Sequence, residues 1–492
     1  MESGGGFSNE PSIFGDDEQS AGNRIILIAS VAALGGLLFG YDSAVINGAV
    51  KAIEEDFAVK GAVLGFAVAS ALLGAAAGAM TAGRIADRIG RLRVMQIAAV
   101  LFLASSVIAG LAPEIITLVI GRVVGGLGVG IASVIAPAYI AETSPARIRG
   151  RLGSLQQLAI VLGIFLALLV DYVLADWAGS ANSQLWMGLD AWRWMFLSMA
   201  IPAVAYGVLA TTIPESPRYL VATHRISEAR RVLTLLLGEK NLEITITRIQ
   251  QSLEGDTKPS WKELKSPSGR IYPIVWVGLL LSMFQQFVGI NVIFYYSNML
   301  WQAVGFKESA SFQITVFTSV VNIATTIVAI ALVDKLGRKP LLLVGSAGMT
   351  VTLATMAVCF SAATEGRNAA GEVVPHLDGA WGPIALVAAN LFVVFFGMSW
   401  GPVVWVLLGE MFPNRIRGAA LSLAAAGQWA ANWLITVSFP ELADLSLVFA
   451  YGMYATFALL SLFFVKRFVK ETKGMSLEDM DSATGLAHPA AA

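Results

Sequence analysis

The stretch Glu142-Thr-Ser-Pro145-Ala-Arg147-Ile-Arg149-Gly150 returns later in the chain as Glu410-Met-Phe-Pro413-Asn-Arg415-Ile-Arg417-Gly418. A second pair recurs in the same order. Asp87-Arg88-Ile-Gly90-Arg91 is matched by Asp334-Lys335-Leu-Gly337-Arg338. Two recurrences in one order mark two repeats of the same unit, and parallel repeats of this kind place a binding site at their interface. Around these motifs run apolar segments long enough to cross a bilayer, which takes about 20 residues of helix. They fall near 25–50, 62–82, 94–112, 115–140, 152–175 and 194–213, then near 272–300, 312–333, 340–362, 382–408, 418–439 and 446–465. The fold class expected is an all-α membrane protein of twelve transmembrane helices in two six-helix halves.

Composition agrees. Of 492 residues, 56% are hydrophobic and 14% charged, with a mean hydropathy of +0.70. A soluble domain carries about 25% charged residues. A net charge of −1 gives no electrostatic footprint for nucleic acid. The single cysteine, Cys359, allows no intramolecular disulfide, and His224, His376 and His488 are scattered without metal-ligand spacing. No cofactor and no metal are expected. The glycines of GRVVGGLGVG (121–130) follow no strand, so they read as close helix packing and not as a phosphate cradle.

The expected organisation is a tail at 1–23, a six-helix half at 24–213, a linker with short helices at 214–271, a second half at 272–468 and a tail at 469–492. The first 23 residues hold acids and no basic residue, unlike a secretory leader. The first apolar run therefore reads as a retained helix. With both termini placed in the cytoplasm, cytoplasmic segments hold 27 of the 33 lysines and arginines. The other side holds five, and Arg122 lies within a helix. That asymmetry predicts the orientation.

Together with PESPR (214–218) and QQFVGIN (285–291), the doubled motifs make residues 24–475 resemble the sugar porter branch of the major facilitator superfamily. One departure is visible: the PETKG usual near the C-terminus reads Lys470-Glu471-Thr472-Lys473-Gly474. The resemblance implies alternating access by rocking of the two halves. It also implies a network of charges at the cytoplasmic helix ends that latches the two halves in the outward-facing state, drawn from Arg84, Asp87, Arg91, Glu142, Arg149, Glu215, Arg218, Asp334, Arg338, Glu410 and Arg417. Such pairs are weak singly in water, but a network made in one state alone biases a conformational equilibrium.

Asp42 and Arg122 are ionisable groups at membrane depth, which are costly and so usually functional and paired. A carboxylate at Asp42 attracts Arg122, and proton uptake removes that attraction, which links protonation to helix rearrangement. The resemblance points the same way, since proton-coupled sugar porters carry an acid at this position. A static packing pair is the alternative. Asp171, beside Tyr172 and a polar loop, is expected at the outer interface.

Sugar hydroxyls are satisfied by amides, which both donate and accept, and apolar ring faces are covered by aromatics. The helices supply Gln157, then Gln285, Gln286 and Asn291, then Asn322, Trp405, and Gln428, Trp429 and Asn432. Gln428 and Asn432 stand four apart, on one helix face. Amides in a membrane also bond neighbouring helices. By resemblance these positions contact a hexose or pentose, with Phe39 and Trp429 lining the cavity. The apolar Ile164 implies fewer contacts from helix 5. Gly401-Pro402 is expected to break helix 10, and Gly289 to interrupt helix 7. The expected function is proton-coupled import of a monosaccharide across the cytoplasmic membrane by a monomer, without covalent chemistry. A facilitative uniporter of sugar or polyol is the alternative. A membrane-embedded glycosyltransferase would need acidic clusters on a long loop, and a sensor would need a long tail.

Overall fold

A computed structural model describes residues 16–144, 149–237, 242–255, 264–266, 269–367, 373–412 and 416–472. The side chains of Arg149, Asp334 and Arg417 lie outside the described residues, as do the central residues of the doubled motif at 145–147 and 413–415.

Among the described residues, eleven helical segments are long and apolar enough to cross a membrane. Span 1 joins Asp16–Ala44 to Ile46–Asp56. Spans 2 to 5 are Gly61–Ile89, Arg91–Gly110, Ile115–Thr143 and Arg149–Ala178, and span 6 joins Ala191–Ser198 to Ala200–Leu209. Span 7 joins Pro273–Phe287 to Ile290–Ala303. Spans 8 and 9 are Glu308–Leu336 and Arg338–Ser361, span 10 joins Trp381–Met398 to Trp400–Met411, and Leu447–Phe468 is span 12. Span 11, Arg417–Leu445, is a helix of 29 residues. Its hydropathy is lowered by Gln428, Trp429, Asn432 and Trp433, so composition alone does not mark it.

Large apolar side chains stay exposed on many spans, Met80 at 78% and Ile201 at 76% among them. On a chain of this composition such surface faces lipid. In the first half, span 2 lies along span 4 and span 1 along span 5. The halves meet where span 11 lies along span 2 and span 8 along span 5. Backbones come very close at these crossings. A Cβ added at Gly126 on span 4 would stand 1.9 Å from the Ala71 carbonyl oxygen on span 2. The packing reading of the GRVVGGLGVG glycines holds at this position.

Four spans are interrupted, span 6 among them at Met199. Span 1 turns at Val45, and span 7 at Gly289, whose φ of 82° is a left-handed conformation that suits glycine. Span 10 breaks at Ser399, earlier than Gly401-Pro402. The physical reason is that proline lacks an N–H that the first turn of a helix does not use, so Pro402 sits in the opening turn of the second segment. The linker carries the helices Pro217–Ala222, Ile226–Leu237 and Leu242–Gly255. They share a small core of Tyr219, Leu220, Val221, Ala229, Leu233 and Ile246. Two antiparallel hairpins that the apolar pattern does not announce, Gln184–Trp186 with Leu189–Asp190 and Thr364–Arg367 with Val373–His376, connect spans 5 to 6 and 9 to 10. The repeated motifs share one end of the bundle, the motif end. The hairpins lie at the far end.

Gly126→Val forces a side chain into the Ala71 backbone and is expected to cost about 3 kcal/mol or more. A melting curve in detergent should show a large loss or no folded species. Gly83→Ala, with nothing within 4 Å of the added Cβ, should melt like the parent, since its cost stays within about 0.5 kcal/mol.

Candidate functional site

Asp42 and Arg122 are 1% and 2% exposed. Arg122 Nη1 donates to the Asp42 backbone carbonyl at 2.8 Å and stands 3.5 Å from Asp42 Oδ2. Neither carboxylate oxygen has a hydrogen-bond partner among the described residues. The pair is therefore close, buried and loosely made. Removing one partner of such a pair leaves an uncompensated buried charge, at a cost of about 3–5 kcal/mol. Span 4 makes room for the acid by having no side chain at Gly125, where a Cβ would fall 2.6 Å from Asp42 Oδ1. A cavity of about 10 Å³ borders the pair, lined by Asp42, Ser43, Arg122 and Tyr295 with apolar side chains of spans 2 and 4. That is the size of one water at most. Tyr295 belongs to span 7, so the second half reaches this cavity too.

On the second half, amides from three breaks and spans converge. Gln285 Nε2 donates to the carbonyls of Trp400 at 2.8 Å and Gly401 at 3.1 Å, fastening span 7 to the broken part of span 10. Gln285 Oε1 accepts from Gln428 Nε2 at 2.8 Å and from Gln286 Nε2 at 3.4 Å. Asn291 Nδ2 donates to Gln286 Oε1 at 2.5 Å across the Gly289 break. Four of the residues singled out from the sequence thus form one network, and Gln428 Oε1 is left without a partner among the described residues. Asn432, one turn beyond Gln428, accepts from Thr436 Oγ1 at 3.1 Å. Phe39 of span 1 faces Trp429 of span 11 with ring centroids 6.5 Å apart, bringing the halves together beside this network.

Other candidates stand apart. Asn322 is buried, and its described bonds run through its backbone carbonyl to Thr325 and Thr326. Trp405 is 48% exposed, and Gln157 is half-buried. Gln156, next to it, is the more buried amide. Its nitrogen and oxygen both lack partners among the described residues, and it packs against Gly36 of span 1. Asp171 is not exposed at the protein surface. It is fully buried, with Oδ2 accepting the Gly48 backbone N–H at 3.2 Å, because its position on span 5 turns it toward span 1 while Tyr172 meets Gln313 of span 8.

At the motif end, Arg91 binds Glu142 through two N–H donors, both at 3.0 Å, and lies 3.2 Å from the exposed Asp87. Arg338 binds Glu410 the same way, at 3.0 and 2.7 Å. Glu215 accepts the backbone N–H groups of Arg91 at 3.0 Å and Leu92 at 3.3 Å. Glu471 accepts those of Arg338 at 3.0 Å and Lys339 at 2.9 Å. A carboxylate at a helix N-terminus satisfies donors that have no partner in the helix and meets the positive end of its dipole. Hydroxyls complete both sets: Ser216 Oγ donates to Glu142, and Thr472 Oγ1 to Glu410 at 2.6 Å. Glu471, Thr472 and Ser216 were not singled out from the sequence. The signal was available, since Glu215-Ser216 after span 6 is matched by Glu471-Thr472 after span 12. The ion pairs described here each close within one half. Arg218 is half-buried, and Arg84 is exposed with no ion pair among the described residues.

The two halves are joined by hydrogen bonds at the far end. Asn47 Nδ2 donates to the Phe294 carbonyl at 2.9 Å, and Asn47 Oδ1 accepts from Asn298 N at 3.0 Å. The Ala181 N–H donates to Glu308 Oε1 at 3.0 Å.

A family model described as "Sugar (and other) transporter" matches residues 28–483. The chain belongs to that family. Sugar transport is accordingly its activity, it is not an enzyme, and its setting is the cell membrane, which it crosses many times. It is 56% identical over 458 residues to the glucose transport protein of Synechocystis sp., covering 93% of this chain and 97% of that one. It is 37% identical to the D-xylose-proton symporter of Escherichia coli, covering 93% and 95%. Among solved structures, this transporter superposes on the inward open conformation of the xylose transporter XylE from E. coli with a TM-score of 0.78 at 36% identity, covering 93% of this chain and 99% of that one. The proton:xylose symporter XylE bound to 6-bromo-6-deoxy-D-glucose gives 0.74 at 36% identity, covering 94% and 99%. These are major facilitator structures, and the twelve-helix, two-half fold is theirs.

Glu471→Ala removes a charged acceptor from two backbone N–H groups. It should destabilise the transporter by about 1.5–3 kcal/mol, as should Glu215→Ala in the other half. Both should melt lower than the parent in detergent. A Glu471→Ala protein that melts with the parent while Glu215→Ala does not would deny the equivalence of the two clamps.

Proposed function

We propose that this chain couples inward movement of a monosaccharide to a proton by alternating access, with Asp42 as the proton-carrying group and Arg122 as its partner. The observation that carries this reading is a buried acid–base pair on the first half facing a network of uncharged amides on the second. A buried ionisable pair whose carboxylate oxygens have no hydrogen-bond partner among the described residues responds to a proton. Amides without charge respond to a polyhydroxylated, neutral molecule.

The motif end is cytoplasmic in this reading, since 27 of the 33 basic residues fall there. The bonds between halves at Asn47, Asn298, Ala181 and Glu308 then close the outer side, and the conformation is inward-facing. The TM-score of 0.78 against inward open XylE supports this reading. Outside, Asp42 takes up a proton and its attraction for Arg122 falls away. Sugar is held by Gln157, Gln285, Gln286, Asn291, Asn322, Gln428 and Asn432, with Phe39, Trp405 and Trp429 against its apolar face. After the halves rock, the proton leaves to the cytoplasm and the carboxylate again draws Arg122. The latch of Arg84, Asp87, Arg91, Glu142, Arg149, Glu215, Arg218, Asp334, Arg338, Glu410 and Arg417 biases this rocking by holding helix ends that each half must move as a unit. Identity of 56% to a glucose transport protein makes glucose the first substrate to try, with xylose second.

In proteoliposomes with an imposed pH gradient, the protein is expected to accumulate glucose above the external concentration and to lose accumulation on adding a protonophore. Accumulation that survives the protonophore rules out proton coupling. Asp42→Asn should keep exchange between equal sugar pools while losing uphill uptake. Gln285→Ala, which removes the centre of the amide network, should weaken apparent affinity about tenfold or more, the equivalent of roughly 1.4 kcal/mol.

A further inference from the structure

Asp171 is a fully buried acid that the proton reading above does not use. Its surroundings on the page are specific. Span 1 breaks at Val45, and polar side chains engage the backbone on both sides of the break. Arg122 takes the Asp42 carbonyl on one side. Asp171 Oδ2 takes the Gly48 N–H on the other, in the first turn of Ile46–Asp56. Val45, the residue before that turn, caps it with no side chain. Asp171 thus supplies from span 5 the acceptor that the broken helix does not supply itself. Asp171 Oδ1 has no partner among the described residues, and a Cβ at Gly48 would fall 2.6 to 2.7 Å from the Asp171 side chain. The fit therefore requires glycine at 48, opposite the side chain at 171. Next to Gly48 in sequence stands Asn47, whose amide binds both Phe294 and Asn298 of span 7.

We propose that Asp171 is the positioning residue of the far-end gate: its carboxylate holds the first turn of Ile46–Asp56, and through that turn Asn47, in the place where it ties the first half to span 7. The break in span 1 then has two lips under separate control. Arg122 governs the lip that bears the acid of the proton pair, and Asp171 governs the lip that closes the outer side. This rests on the alternating-access reading, in which the far end opens and closes.

The test is the distance between spin labels at Met187→Cys and Leu445→Cys, in full-length protein carrying Cys359→Ser. Both positions are exposed at the far end, one on each half. The parent should show a short-distance population. Asp171→Val, which keeps bulk and removes the acceptor, should move most molecules to longer distances, as should Asn47→Ala, and the double variant should add little, as for residues acting in one chain of contacts. Gly48→Ala should shift the same way by displacing an unaltered Asp171. Asp171→Asn retains an oxygen acceptor and should stay near the parent. If Asp171→Val does not fold, Gly48→Ala and Asp171→Asn still decide. The proposal is overturned if Asp171→Val or Gly48→Ala keeps the parent distances, if Asp171→Asn opens as far as Asn47→Ala, or if the Asp171→Val and Asn47→Ala shifts add independently. Sugar exchange by the parent, measured in parallel, separates this outcome from failure of the transport reading. A parent that exchanges no sugar refutes transport whatever the distances show.

Discussion

A polar group inside a bilayer has no water to turn to, so it must find its partner within the bundle. Nearly every functional feature of this chain follows from that constraint. Among the described residues, Asp42 and Arg122 have each other and a space of one water's size. The amides of spans 7 and 11 have one another and the carbonyls beside the break in span 10. Where the broken span 1 offers an N–H, a carboxylate from span 5 receives it. The atoms left over, among them both Asp42 carboxylate oxygens and Gln428 Oε1, mark where a proton and a hydroxyl-bearing ligand have something to gain.

The same constraint explains the twofold repetition at the motif end. Spans 3 and 9 each begin directly after a glycine, Gly90 and Gly337, leaving N–H groups at helix starts close to the membrane surface. In one half Glu215 receives them and in the other Glu471, and each set is completed by an arginine, a second glutamate and a hydroxyl. Helix ends so fastened move with their half. Rocking of halves as units then becomes mechanically reasonable, because the ion pairs and carboxylate clamps at the motif end each close within one half.

Much of this was legible in the sequence, and the reasons differ by element. Twelve spans and two halves could be read because lipid contact demands long apolar runs and because the motifs recur in order. Gln285, Gln286, Asn291 and Gln428 could be placed together because amides are rare in such runs. The burial of Asp171 is not legible from its nearness to Tyr172 and a polar loop, because successive residues on a helix point about 100° apart. The break in span 10 was set two residues late because Pro402 looks like a breaker but suits a first turn. Glu471 is legible only by matching Glu471-Thr472 to Glu215-Ser216, a likeness that Lys470 in place of a proline obscures. The hairpins between spans are short and set by local turns, which leave little trace in an apolar pattern.

The central claim is that sugar held by the amide network crosses together with a proton carried by Asp42. It is tested most directly by the pH of a weakly buffered suspension of proteoliposomes, with membrane potential clamped, as sugar is added outside. Entry of sugar down its gradient should turn the external medium alkaline in step with uptake, and Asp42→Asn should abolish that change while sugar still exchanges. Sugar entering the parent vesicles with no change in external pH would contradict the account.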